Sequence, residues 1–462
     1  MSINSALLAG ASGLISNSSA LAAVSDNIAN VNTVGYKRAN AVFTPMYDSR
    51  GGDGSNYTAA GVNSRTNLNI STAGLLTGTT SATDLAIAGN GMFVVRESAD
   101  ATSADPVAFT RAGSFVADSE GFLRNSAGYY LAGWPVAQDG SVPVNPSDLN
   151  TLETINLSSI GGAAEPTSIM GINANLLASQ TVSAQEATYD PTASATNMAS
   201  GTVTPDFQRS VPFYDSQGGV RTLTISMLKS ATPNQWHAEI HMDPATDVTT
   251  GATLLDGQML TGVVAFDTQG RLDTANTTLP TTLNFLDSTN AAPLGATEFQ
   301  WSAATGVAAQ SIEIDFGDPN DPGGFTQYDS PSTLESTNVN GTAYGNFAGV
   351  EVDDEGFVFA KFSNGIIRPV YQVPVATFAN PDGLQAQSGG TYTVTPESGT
   401  YTLNTPGLGS AGTIAAATLE NSNVDLASEF TTLITTQRAY SASSKIITTA
   451  DEMLDEAIRM KR

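Results

Sequence analysis

Leu7, Leu14, Leu21 and Ile28 recur every seven residues, and Leu8, Ala11, Ile15, Ala22 and Val24 widen the stripe. That spacing gathers the apolar side chains on one face of a 3.6-residue period and predicts one long amphipathic helix. Asn30, Asn32 and Gly35 tolerate the left-handed backbone that ends helices, so the helix should stop near residue 30. At the other end Leu426, Phe430, Leu433, Tyr440, Ile447, Leu454 and Ile458 step by three, four and seven, with Gln437, Ser444 and Asp451 at the remaining layers of a heptad seam. Polar layers weaken such a seam but fix its register. Nothing local can cover either stripe. The two helices are therefore expected to pair with each other and with neighbouring copies, an ordinary intramolecular two-helix tail being the plainer alternative. Without partners, residues 1–30 and 430–462 of an isolated subunit are expected to be disordered.

The body between the helices reads as β. Leu85, Ile87, Phe93 and Val94 flank a tight turn at Gly89-Asn90-Gly91. Asp-x-x-Gly recurs at Asp118–Gly121, Asp215–Gly218, Asp267–Gly270 and Asp353–Gly356, each between strand-like runs. Asp at the first and Gly at the fourth position suit a type I turn, so each predicts a hairpin. Segments 146–200 and 317–345 are rich in loop residues and mark where the chain enters and leaves an insertion. The predicted class is mainly β with long α-helical termini, in nested discontinuous domains. Residues 1–30 and 430–462 form a coiled-coil core on assembly, and 31–75 an extended connector. An inner β-domain takes 76–145 and 334–429, and 146–333 is an inserted acidic outer β-domain of one or two subdomains.

Charge sharpens this layout. The 462 residues carry 18 Lys and Arg against 44 Asp and Glu, a net charge of −26. This argues against nucleic acid, whose phosphates need clustered cations. Residues 1–80 hold Lys37, Arg38, Arg50 and Arg65 against Asp26, Asp48 and Asp53, and residues 421–462 are also nearly balanced, so the middle carries the excess. Neutral ends suit a crowded core and acidic surfaces a solvated exterior. No uninterrupted apolar run approaches a membrane span, so no membrane insertion is expected. The first basic residue, Lys37, comes too late for the n-region of a secretory signal.

Candidate chemistry is sparse. There is no cysteine, and the two histidines are His237 and His241. On a strand, His237, Glu239 and His241 would share one face and could in principle hold zinc, but the same alternation describes any half-buried strand, which is the reading adopted. Asp318, Asn320, Gly323 and Asp329 match a calcium loop poorly, because Pro322 interrupts it and no helices flank it. The Glu351, Asp353, Asp354, Glu355 run reads as solvated surface. Asp-x-x-Gly without a phosphate-binding loop does not make a nucleotide site. No catalytic, cofactor or metal residue is assigned, and no enzyme activity is expected.

Three stretches carry a resemblance. Ser12-Gly13-Leu14 precedes Asp26-Asn27-Ile28-Ala29-Asn30-Val31-Asn32-Thr33-Val34-Gly35-Tyr36-Lys37. Asp84-Leu85-Ala86-Ile87-Ala88-Gly89-Asn90-Gly91-Met92-Phe93 leads to Phe109-Thr110-Arg111-Ala112-Gly113-Ser114-Phe115 and Tyr130-Leu131-Ala132-Gly133-Trp134. Leu419-Glu420-Asn421-Ser422-Asn423-Val424-Asp425-Leu426 continues to Thr436-Gln437-Arg438-Ala439-Tyr440. In order, they resemble the rod and hook subunits of the bacterial flagellar axial protein family, and the long acidic insertion favours the hook branch over the distal rod protein. The resemblance implies a structural subunit exported through the flagellar type III apparatus without a cleaved signal peptide. It would polymerise into a curved tube, a universal joint transmitting torque from rod to filament. It implies as partners further copies of the chain, the distal rod protein, hook cap, hook-filament junction protein, export gate and hook-length ruler. A secreted β-rich metal-binding protein or enzyme built on the histidine strand is the remaining alternative.

Overall fold

A computed structural model of the chain describes residues 3–47, 59–100, 105–137, 140–142, 151–318 and 323–460. The chain forms two compact units, one of residues 1–160, 349–361 and 367–462, the other of 161–348 and 362–366. Helices close both termini and strands make up the body.

In the first unit, helix α1 (Ile3–Ala29) runs into the Asn30 to Gly35 turn, where Gly35 takes a φ of 69°. Strands β1 (Ala39–Tyr47) and β2 (Ala59–Leu68) pair antiparallel from Ala39 opposite Leu68, so the segment expected as an extended connector carries a hairpin. The central strand Met92–Arg96 pairs with Val107–Thr110, Tyr130–Pro135 and Val375–Phe378. Its residues feed two cores. Phe93 and Val95 join Phe115, Leu131 and Val375 on one side, while Met92 and Val94 join Phe109, Trp134 and Leu403 on the other. Burial of both faces explains the unbroken apolar run there. Two short ladders, Leu85–Ala88 with Thr413–Ala416 and Leu76–Gly78 with Thr418–Glu420, deliver the chain to helix α2 (Leu426–Met460).

The second unit holds a four-stranded antiparallel sheet of Phe207–Tyr214, Val220–Lys229, Gln235–Asp243 and Gln258–Ala265, and a mixed seven-stranded sheet around Ile169–Asn175. Both sheets contribute to one apolar core. At its centre Trp301 stacks on Phe285 with ring centroids 4.3 Å apart.

All four Asp-x-x-Gly segments are built alike. The glycine N–H donates to the aspartate carbonyl at 3.0–3.1 Å. Oδ1 of Asp118, Asp215, Asp267 and Asp353 accepts from the N–H groups two and four residues on. Each glycine has a φ of 77–89°, the left-handed conformation that closes a bulged hairpin. Asn125–Gly128 repeats the device with asparagine, a variant the sequence reading passed over.

One expectation is corrected: in the single chain, Ile3–Ala29 and Leu426–Met460 are formed, paired helices rather than disordered tails. The Ser5–Ala29 stretch contains a window of mean hydropathy 1.4, apolar and long enough to cross a membrane by length and composition alone, a test that the core helix of a soluble protein also passes.

Candidate functional site

The N- and C-terminal motifs meet in a buried polar junction. Lys37 Nζ lies 2.6 Å from Glu420 Oε1, and Arg111 Nη1 lies 3.0 Å from Glu420 Oε2, with all three side chains at most 5% exposed. Lys37 also donates to Thr72 O, Arg111 to Ile87 O and Gly89 O, and the Gly74 N–H to Glu420 Oε1. Burial pulls the Lys37 ammonium below the ordinary lysine range, and the Glu420 carboxylate draws it partly back. One carboxylate thus serves two buried cations.

A second set lies beside it. Asn27 braces the end of α1 against β1, exchanging hydrogen bonds of 2.8 Å with Ala39 in both directions. Its amide also donates to Glu429 Oε2 and its Oδ1 accepts from Tyr36 OH. Glu429, fully buried, pairs with Arg38 Nε at 2.5 Å. Asn423 accepts from the Arg38 N–H and donates to Asn69 O and Thr72 O. Asp425 caps α2 by accepting from the N–H groups of Ala427 and Ser428. The structure therefore brings together Asn27, Tyr36, Lys37, Asn423 and Asp425 from opposite ends of the chain. Ala29, Asn32, Thr33, Gln437 and Arg438 are exposed, while Ile28, Asn30 and Val424 are half-buried and Gly35 is buried. The charged partners Arg38, Arg111, Glu420 and Glu429 were missed as site residues. Their signal was rarity, since only 13% of the chain is charged.

The helix pair uses a different row from the expected one. Leu7, Leu14, Leu21 and Ile28 are only half-buried, whereas Gly10, Gly13, Ser16, Ala20, Ala23, Val24 and Asn27 are buried. A Cβ on Gly10 would come 2.9 Å from Ile447 Cγ1, and one on Gly13 3.0 Å from Ser443 Oγ. Small residues let the helix backbones approach, and they also let β2 dock. There Ser12 Oγ accepts from the Val62 N–H and Ser16 Oγ donates to Val62 O. On α2, Leu433, Ile447 and Leu454 are half-buried, while Leu426, Phe430, Tyr440 and Ile458 are 40–64% exposed. Each helix leaves an apolar row uncovered at seven-residue spacing. Leu8 and Ile15 are 64% and 69% exposed, with Ala22 exposed below them. Ile446, Met453 and Met460 are 48%, 56% and 79% exposed.

Comparison with known proteins places the chain in a family. A flagellar hook protein of Caulobacter vibrioides is 39% identical and one of Rhizobium meliloti 34% identical, in each case over the whole of both chains. The chain belongs to the flagellar hook protein family. Family models match residues 7–37 (flagella basal body rod protein), 86–164 (flagellar hook protein FlgE/F/G D1 domain), 176–342 (flagellar basal body protein FlaE D2 domain) and 415–460 (flagellar basal body rod FlgEFG protein C-terminal). The solved structure of Helicobacter pylori flagellar hook protein FlgE2 covers 73% of this chain and 98% of its own, at 15% identity and a TM-score of 0.42. The chain is thus a structural subunit of the flagellar hook, which favours that reading over the rod and metal-binding alternatives.

In this hook-family chain the histidine strand has a structural role. Glu239, fully buried, accepts from Tyr189 OH and from the N–H groups of Met198 and Ala199. His237 lies 3.4 Å from Glu186 and against the Tyr189 ring. Among the described residues no three His, Asp or Glu side chains are grouped to hold a metal ion. Of the calcium-like loop, Asn320 and Pro322 lie outside the described residues, and Asp329 accepts from Ser179 Oγ. Glu351 of the acidic run pairs with Lys361.

His241 is 7% exposed, its Nδ1 has no partner, and burial lowers its pKa, with Glu239 and Asp243 opposing. Its unfolded value is about 6.5. As pH falls through that value the unfolded chain takes up a proton that the folded ring refuses. Stability is therefore full above about pH 6.5, falls below it, and levels off beneath the lowered folded value. Urea midpoints between pH 8 and 5 should show wild type losing more stability than His241→Gln, the difference opening below about pH 6.5.

Proposed function

We propose that this subunit polymerises through its terminal helices into a curved tube that works as a universal joint, transmitting torque from rod to filament. The observation that carries the reading is the pair of seven-spaced apolar rows, Leu8 with Ile15 and Ile446 with Met453 and Met460, left exposed after α1 and α2 have packed together. Such rows supply the knobs of a coiled-coil seam, and further copies of the same chain present the matching rows. The nearly neutral ends let those copies crowd, while the acidic middle favours solvated contacts that water can bridge and that re-form at a shifted register. Strong inner and adjustable outer contacts are what a bending, rotating joint requires. Within this reading the subunit is exported by the type III apparatus without a cleaved signal peptide. It meets the distal rod protein, hook cap, junction protein, export gate and length ruler.

The test is electron microscopy of the full chain and of a chain lacking residues 1–30 and 430–462, at high concentration in precipitant. Tubes from the full chain and none from the truncated one are expected. Tubes from both would remove the helices from the mechanism, and compact monomers from both would overturn the reading.

A further inference from the structure

The chain has ten methionines, and their burial is sharply divided. Met92, Met170, Met198, Met227, Met242 and Met259 sit in apolar clusters and are at most 2% exposed, whereas Met46, Met453 and Met460 are 49%, 56% and 79% exposed. Met453 stands in the middle of the uncovered Ile446 to Met460 row of α2, one helical step from Leu454, which is half-buried on the helix.

We propose that Met453 is a redox modification site that controls assembly: a peroxide-class oxidant converts it to the sulfoxide in the free subunit and blocks polymerisation, and polymerisation in turn shields it. This rests on the assembly reading above. The thioether sulfur donates an electron pair to one peroxide oxygen, an S–O bond forms, the O–O bond breaks, and water leaves. Methionine is oxidised by two electrons and the peroxide is reduced. No cysteine is present to intercept the oxidant first. The product places a polar, chiral sulfoxide in an apolar seam, where it finds no assured partner. Six of the methionines are enclosed in cores, so the subunit's fold survives the same exposure.

The experiment treats monomer with hydrogen peroxide, quenches it, maps sulfoxide by peptide mass spectrometry, and measures the critical concentration for polymerisation by sedimentation. Wild type, Met453→Leu and Met460→Leu are compared, with circular dichroism to check folding. Treated wild type should need about tenfold more protein to polymerise. Treated Met453→Leu should show the same critical concentration as untreated Met453→Leu, whatever that variant's own baseline, treated Met460→Leu should rise above its untreated value as wild type does, and preformed tubes should keep Met453 reduced. Unchanged polymerisation of treated wild type would overturn the proposal while leaving the assembly reading intact. So would equal loss in treated Met453→Leu, or rapid oxidation of Met453 within tubes. Untreated chain that never polymerises would overturn both.

Discussion

Replacing Glu420 by alanine is expected to destabilise the first unit by about 3–5 kcal/mol, because it strands two buried cations at once. Lys37 and Arg111 are 1% and 4% exposed, and each has its carboxylate contact only with Glu420 among the ion pairs described. Carbonyl oxygens of Thr72, Ile87 and Gly89 remain as acceptors but carry no full negative charge. The loss should appear as a lower urea midpoint for the transition of Trp134, which is fully buried in the same unit. Glu420→Gln, which keeps the shape and removes the charge, should lose nearly as much. If instead Glu420→Gln matched wild type, the charge would be irrelevant and packing would account for the junction. Substituting all three members by apolar residues of similar volume should cost far less than removing Glu420 alone, since it leaves no stranded ion.

The second large effect belongs to the other unit. Trp301→Ala should cost about 3–5 kcal/mol, the range for emptying a buried aromatic site. The indole is fully buried, stacks on Phe285 and lies 6.1 Å from the Phe213 ring. Its Nε1 is buried without a hydrogen-bond partner, so Trp301→Phe removes an unsatisfied donor along with volume and should cost much less. With three tryptophans in the chain, 5-fluorotryptophan NMR can follow Trp134 and Trp236 separately. The Trp236 transition should move to lower denaturant while that of Trp134 stays in place. A common shift of both would mean that the two units unfold as one.

The sequence was most legible where structure is decided by neighbours. Asp-x-x-Gly announced its turns because the accepting aspartate oxygen, the two donating N–H groups and the left-handed glycine all lie within five residues. The terminal helices were likewise legible from their period. Which row of α1 faces inward was not, because reading by apolar size selects Leu7, Leu14, Leu21 and Ile28. The packed row is instead set by how closely backbones approach, which rewards Gly10, Gly13 and Ala20. The junction was legible only in part. Asn27, Lys37 and Asn423 stood out through the family resemblance, but nothing near Lys37 reveals that its counterion is Glu420. Partner choice across such distances depends on topology, and local pattern does not encode it.

That distance has a consequence for the order of events as the chain folds. Lys37 and Glu420 are separated by 383 positions and Arg111 and Glu420 by 309, so these contacts close among the longest loops in the molecule. A polypeptide that emerges with its first residues leading can complete each bulged hairpin as it appears. The ammonium of Lys37 has no counterion to enter the interior with until almost the whole length is out. A subunit that stops short of residue 420 therefore lacks both α2 and the carboxylate that Lys37 and Arg111 share, and those two cations are left without their counterion.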